Sequence, residues 1–255
     1  MIPPVIVNCF PLINSTSNSP GLGAKEIKLM AIILSIETST PVCSVALHCE
    51  GKLLTAIEIH QEYSHASKLG IIVDEVTKLS DTSLDKVNAV ALSAGPGSYT
   101  GLRIGTSLAK GLCYALDIPL IAIPTLKAMA TTMHGFYAGD VLLCPMIDAR
   151  RMEVYCQVYD RNLSEIEPVQ AKVIEVDSFQ TLLDVRPIVF FGSGASKCKS
   201  VILHENAKFL DNINPVASHL GDLAFAKFQQ EKFEDIVQFV PSYLKEFFIR
   251  KPVDV

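Results

Sequence analysis

Residues 93–105 read "SAGPGSYTGLRIG", and the residue types in that stretch suit anion chemistry. Gly95, Gly97 and Gly101 free the backbone to present N–H groups at a helix start, where the helix dipole favours negative charge. Ser98, Tyr99 and Thr100 add hydroxyls, and Arg103 places a cation one turn into the helix. A tight strand-to-helix turn, with glycine supplying positive φ, uses the same residues without any ligand. Two familiar phosphate sites are excluded. No Gly-Lys-Ser/Thr follows, as a P-loop requires, and the glycine spacing is not that of a dinucleotide fingerprint.

A second hydroxyl cluster, Glu37-Thr38-Ser39-Thr40, ends the apolar run "AIILSIET". Hydroxyls in a tight turn between strands can ring a phosphate; an ordinary hairpin turn with solvated hydroxyls is the plainer account. The candidate phosphate-binding residues are therefore Thr38, Ser39, Gly95, Gly97, Ser98 and Thr100. His48, His60, His65, His134, His204 and His219 include no HxxxH pair that would bring two rings to one helix face for a metal. No GxSxG elbow supplies a hydrolase serine. On these grounds the chain is expected to hold no metal. Its scattered cysteines lack a CxxC and read as reduced, buried thiols of a cytoplasmic protein.

The helix leaving the glycine turn has Gly101, Gly105 and Ala109 spaced by four, so one stripe is nearly bare of side chains. Glycine inside a helix costs about 1 kcal/mol relative to alanine. Close approach of another element compensates for that, either within the chain or from a partner subunit.

These residues need a frame, and the hydrophobic pattern supplies one. Residues 31–38 read as a buried strand, and 42–60 as two alternating strands around "EGK". Residues 64–80 carry Leu69, Ile72, Val73, Val76 and Leu79 at helical spacing, with Ser64 as cap. A strand at 87–93 feeds the glycine turn and a helix to about Leu116; a strand at 118–124 and a helix at 125–134 follow. The pattern then restarts. "LLCPMID" (142–148) matches "IILSIET", 153–171 form two more alternating strands, and "PIVFFGSGASK" (187–197) matches "AVALSAGPGS". Asn214 and Pro215 open a last helix over 214–230, with Leu220, Leu223, Ala224 and Phe228 facing inward. The repeat predicts two similar α/β lobes with a cleft between them.

Composition agrees with a packed domain. The chain has 255 residues, 49% hydrophobic and 19% charged, which excludes disorder for most of it. A net charge of −5 does not give the broad basic footprint of an autonomous nucleic-acid binder. No apolar run approaches the roughly 20 residues that cross a bilayer. Residues 1–29 lack a basic n-region; they read as a flexible extension, or as the product of an upstream start with Met30 as the true first residue.

Taken together, "ILSIETSTPVCSVAL", "GPGSYTGLRIGTSLAKGL", "IPLIAIPTLKAMA", "IDARRMEVY" and "PSYLKEFFIRKP" resemble the bacterial TsaB (YeaZ) family, tRNA threonylcarbamoyladenosine biosynthesis proteins. The resemblance runs from about Ala31 to Pro252. It implies a duplicated actin-like ATPase (ribonuclease H-like, ASKHA) fold, with an N-terminal lobe over 30–132 and a C-terminal lobe over 133–255 whose last helix returns to the first. It further implies a non-catalytic, cytoplasmic relative of the transferase subunit TsaD, with no catalytic residue and no cofactor; TsaD carries a histidine metal motif where this chain has "PTLKAMA" (124–130). The implied partners are a TsaD-like subunit and a TsaE-like ATPase, with a homodimer when alone and tRNA met only through the complex. Family docking through helices at about 64–80 and 100–116 implies an interface of Leu69, Ile72, Val73, Val76, Gly101, Arg103, Gly105 and Ala109. On that reading Gly105→Leu would block association and leave the monomer folded. The rival readings are an actin-like-fold ATPase or small-molecule kinase, with Glu37 and Asp148 facing one cleft, and a glycoprotease-like peptidase.

Overall fold

Strand β1 (Ile32–Glu37) pairs antiparallel with β2 (Cys43–Cys49), and β2 with β3 (Lys52–Ile59). On its other side β1 pairs parallel with β4 (Ala89–Ser93), and β4 with β5 (Leu120–Ile123). A second sheet repeats this plan with β6 (Leu142–Asp148), β7 (Glu153–Tyr159), β8 (Glu165–Val173), β9 (Ile188–Phe191) and β10 (Ala207–Leu210). The orders are β3-β2-β1-β4-β5 and, from the matching edge, β8-β7-β6-β9-β10. This is the duplicated actin-like fold. The computed structural model describes residues 30–61, 64–137 and 139–245; the stretch 1–29 and the closing Arg250 and Lys251 lie outside them.

Strands β1 and β4 are apolar nearly throughout because helices cover both faces of their sheet. Helices α1 (His65–Leu79) and α2 (Tyr99–Leu116) lie on one face, against β2 and β4 respectively. Helix α3 (Thr125–Thr132) links the lobes. It sends Ala128 into the first sheet's other face, and Leu126, Met129 and Ala130 against Leu143, Ile147, Val189 and Phe191 of the second sheet. In the second lobe the chain adds the short helices α4 (Gln180–Leu183) and α5 (Ala195–Cys198). The last helix, α6 (Gly221–Gln229), crosses back and packs Ala224 on the first sheet, preceded by a 3-10 turn, Ala217–Leu220. Burying a leucine such as Leu220 completely contributes about 2 kcal/mol.

The helix start expected at Asn214 and Pro215 is displaced. Val216 is extended and helical turns begin at Ala217, because the Ala217 N–H donates to the Ser44 hydroxyl on β2 (2.8 Å) and pins the chain there. Beyond α6 the chain runs as a strap. Glu234 N–H donates to the Leu120 carbonyl (2.9 Å) and covers the free edge of β5; Ile236 and Phe239 pack into the first core. The strap then reaches the glycine turn, where Ser242 N–H donates to the Ala94 carbonyl (2.7 Å).

One buried polar link ties α6's entry to the first sheet. His48, fully buried on β2, accepts from the Ser35 hydroxyl at Nδ1 (3.1 Å) and donates from Nε2 to the Ser218 carbonyl (3.3 Å) when neutral. Burial holds its pKa below the ordinary value of 6.5, and burial does the same for His219. An unfolded chain takes these protons as pH falls through about 6.5, and the folded chain takes them only at lower pH. The stability is therefore present above that pH and is lost as pH falls from 6.5 toward the folded values. The urea midpoint is expected to be lower at pH 5.5 than at pH 7.5, and the His48 ring resonances to titrate below 6.5 by NMR.

Candidate functional site

The glycine turn and the β1–β2 turn meet at the carboxyl ends of β1 and β4. The contact is closed by the chain itself. Ser98 N–H donates to the Ser39 carbonyl at 2.7 Å. A Cβ on Gly97 would stand 2.4 Å from the Ser39 carbonyl oxygen, one on Gly101 2.1 Å from that of Thr38, and one on Gly105 2.3 Å from the Thr38 hydroxyl. Gly95, with φ +97°, has its carbonyl taken by Thr125 N–H, and a Cβ there would meet the Ser242 carbonyl oxygen at 2.7 Å. These glycines serve close packing. Four of the six candidate phosphate residues, Thr38, Ser39, Gly95 and Gly97, are packed against their own chain rather than arranged as an open cradle. Ser98 and Thr100 remain exposed, although the Ser98 hydroxyl also caps α2 by accepting from Gly101 N–H (3.2 Å).

Glu37 lies beneath this turn. It is fully buried; Ser39 N–H donates to one carboxylate oxygen (2.5 Å) and the Ser93 hydroxyl to the other. Burial pushes its pKa above the carboxylate range, against the lowering effect of those hydrogen bonds. Asp148 instead sits exposed at the end of β6 and pairs with Lys197. The arrangement needed for an ATPase or kinase, with both carboxylates facing one cleft, is not formed. Asp148 opens the β6–β7 turn, while Glu37 is buried and held by Ser39 and Ser93.

The implied interface residues also need correction. Leu69, Ile72, Val73, Val76 and Ala109 are buried in the first lobe's own core, and Gly101 and Gly105 face Thr38. The regular apolar spacing marks the face that packs on the sheet. Arg103 is exposed, stacked over the Tyr99 ring. The outward face carries Gly70 and Ile71 on α1 and Ser107 and Gly111 on α2. Ile71 is 55% exposed, and a Cβ on Gly70 or Gly111 would meet nothing within 4 Å. Ser64 precedes α1, yet its hydroxyl makes no cap and has no hydrogen-bond partner.

Beside the amino-terminal ends of α1 and α2 lies a cavity of about 430 Å³, lined by Thr40, His65, Ala66, Thr100, Ile104 and Arg150 among others. Arg150 comes from the β6–β7 turn of the second lobe. The segment "PTLKAMA" forms the start of α3, with Leu126, Met129 and Ala130 buried in the seam between lobes. Among the described residues no three His, Cys, Asp or Glu side chains converge to hold a metal ion, and no helix is long and apolar enough to cross a membrane. Burial pushes the Cys43, Cys113 and Cys198 thiols up to about 11, which leaves them unreactive at neutral pH.

Comparison with known proteins gives a consistent result. Residues 52–253 match the family described as TsaD, tRNA N6-adenosine threonylcarbamoyltransferase. The chain is 31% identical over 220 residues to the tRNA threonylcarbamoyladenosine biosynthesis protein TsaB of Bacillus subtilis, covering 84% of this chain and 93% of that one. It is 38% identical over 132 residues to TsaB of Escherichia coli, covering 51% of this chain and 55% of the relative. Among solved structures it is similar to a Pseudomonas aeruginosa protein described as similar to peptidase YeaZ. That match has a TM-score of 0.74 and 26% identity, over 85% of this chain and 100% of that one.

Proposed function

From the premise that this chain belongs to the TsaB (YeaZ) family of tRNA threonylcarbamoyladenosine biosynthesis proteins, we propose that it is the non-catalytic partner of a TsaD-like transferase subunit. It binds that subunit through the outward face of α1 and α2. A TsaE-like ATPase joins the pair, tRNA is met through the assembled complex, and the chain alone pairs with a second copy by the same face.

One observation carries this reading: the neighbouring helices α1 and α2 leave Ile71 open to solvent and give open space at Gly70 and Gly111. An exposed isoleucine beside positions with no side-chain relief suits close helix packing by another subunit. The internal contacts of Gly97, Gly101 and Gly105 and the buried pairing of Glu37 both favour a supporting role over phosphoryl chemistry.

Reconstitution tests it. Modified tRNA is expected when the transferase subunit, the ATPase and this chain are combined, and not when this chain is left out. Threonylcarbamoyl transfer or ATP hydrolysis by the isolated chain would replace this reading with an enzymatic one.

A further inference from the structure

The cavity at the amino-terminal ends of α1 and α2 has no role in the apolar docking described above, and its chemistry is specific. Two helices of 15 and 18 residues begin at its wall, and neither has an acidic residue in its first turn. Their positive dipole ends are therefore not offset from within the helices. Thr40, which lines the cavity, is 3% exposed, and its hydroxyl has no hydrogen-bond partner. A buried hydroxyl without a partner is costly, and a ligand removes that cost.

Arg150 supplies the charge from the other lobe. Its turn is braced: Arg150 N–H donates to the Asp148 carboxylate (2.9 Å), and Lys197 donates to the Arg151 and Glu153 carbonyls, each at 2.7 Å. Among the described residues no carboxylate forms an ion pair with its guanidinium. Guanidinium, hydroxyl and helix ends together suit one oxyanion.

We infer that this cavity receives a carboxylate, an Asp or Glu side chain of the docked transferase subunit. The inference rests on the docking reading above and deepens it. Ala66 and Ile104 line the cavity and belong to the same two helices, so a subunit seated on their outward face reaches it. A single carboxylate also suits a body of net charge −5, which repels a polyanion such as RNA.

The test compares the affinity of the full-length chain and its variants for the transferase subunit of the same genome at low and high salt. Arg150→Glu is expected to weaken binding by about thirtyfold or more, the low end for removing one partner of a buried charge pair. It should also flatten the salt dependence, with Arg150→Lys intermediate and each variant's urea midpoint unchanged. An Asp or Glu to Arg change in the transferase that restores binding to the Arg150→Glu variant identifies the carboxylate. Ile71→Asp separates the two readings: if it blocks binding while Arg150→Glu binds as the parent does, docking stands and the carboxylate is overturned. If neither matters, both fall. Weaker tRNA capture by an intact Arg150→Glu complex would assign the cavity to a phosphodiester. Arg150-dependent binding of inorganic phosphate to the isolated chain, with subunit affinity unchanged, would assign it to a small anion. Either result overturns the inference.

Discussion

Gly101→Ala is expected to destabilise the protein by about 3 kcal/mol, the upper range for overpacking a close contact. Alanine ordinarily gains about 1 kcal/mol over glycine inside a helix, so the sign here is set by the neighbour. The added methyl would stand 2.1 Å from the Thr38 carbonyl oxygen, which belongs to the backbone of a tight turn and cannot swing aside. That turn is also held by Ser98 N–H on the Ser39 carbonyl and by Ser39 N–H on Glu37. Gly105→Leu, first read as a clean probe of association, meets the Thr38 side chain at 2.3 Å and is expected to prevent folding. Gly111→Ala on the same helix is the control. Nothing lies within 4 Å of its Cβ position, and it should gain about 1 kcal/mol. Urea denaturation of the two alanine variants checks the opposite signs; equal midpoints would mean the α2 contact with the β1–β2 turn is loose.

Gly111→Leu is expected to leave the monomer folded and to reduce affinity for the transferase subunit about a hundredfold, equivalent to roughly 3 kcal/mol of overpacking at a close helix contact. The side chain projects from α2 into open space in the free chain, so its effect arises only when another surface is brought against that helix. An unchanged melting temperature with lost co-elution supports docking there. Retained affinity places the partner elsewhere, and the exposed Tyr114 at the far end of α2 would be the next surface to test.

Much of the frame was legible from the sequence. Period-two and period-3.6 patterns located β1 to β9 and α1 to α3 to within a few residues, because each element must turn a consistent apolar face to the core. Strand β10 was missed: "AKFL" is four residues long and half-buried, too short to show a period. Helices α4 and α5, of four residues each, escaped for the same reason. The start of the last helix was misplaced because Asn214 and Pro215 have good start chemistry, while the Ser44 hydroxyl, far away in sequence, set the real one.

The site was less legible. Glycines in a turn and along a helix look alike whether they admit a phosphate, a partner or their own chain. Likewise, Leu69, Ile72, Val73 and Val76 announced an apolar face without saying what covers it.

By itself, the order of residues determined two repeated α/β lobes, since side-chain periodicity is local and survives without knowledge of the neighbours. Only the tertiary structure decided that Thr38 fills the space beside Gly101 and Gly105, that Glu37 is a sealed carboxyl, and that Arg150 crosses from the second lobe to the ends of α1 and α2. Those facts depend on distances between segments far apart in the chain, which residue spacing along it does not encode.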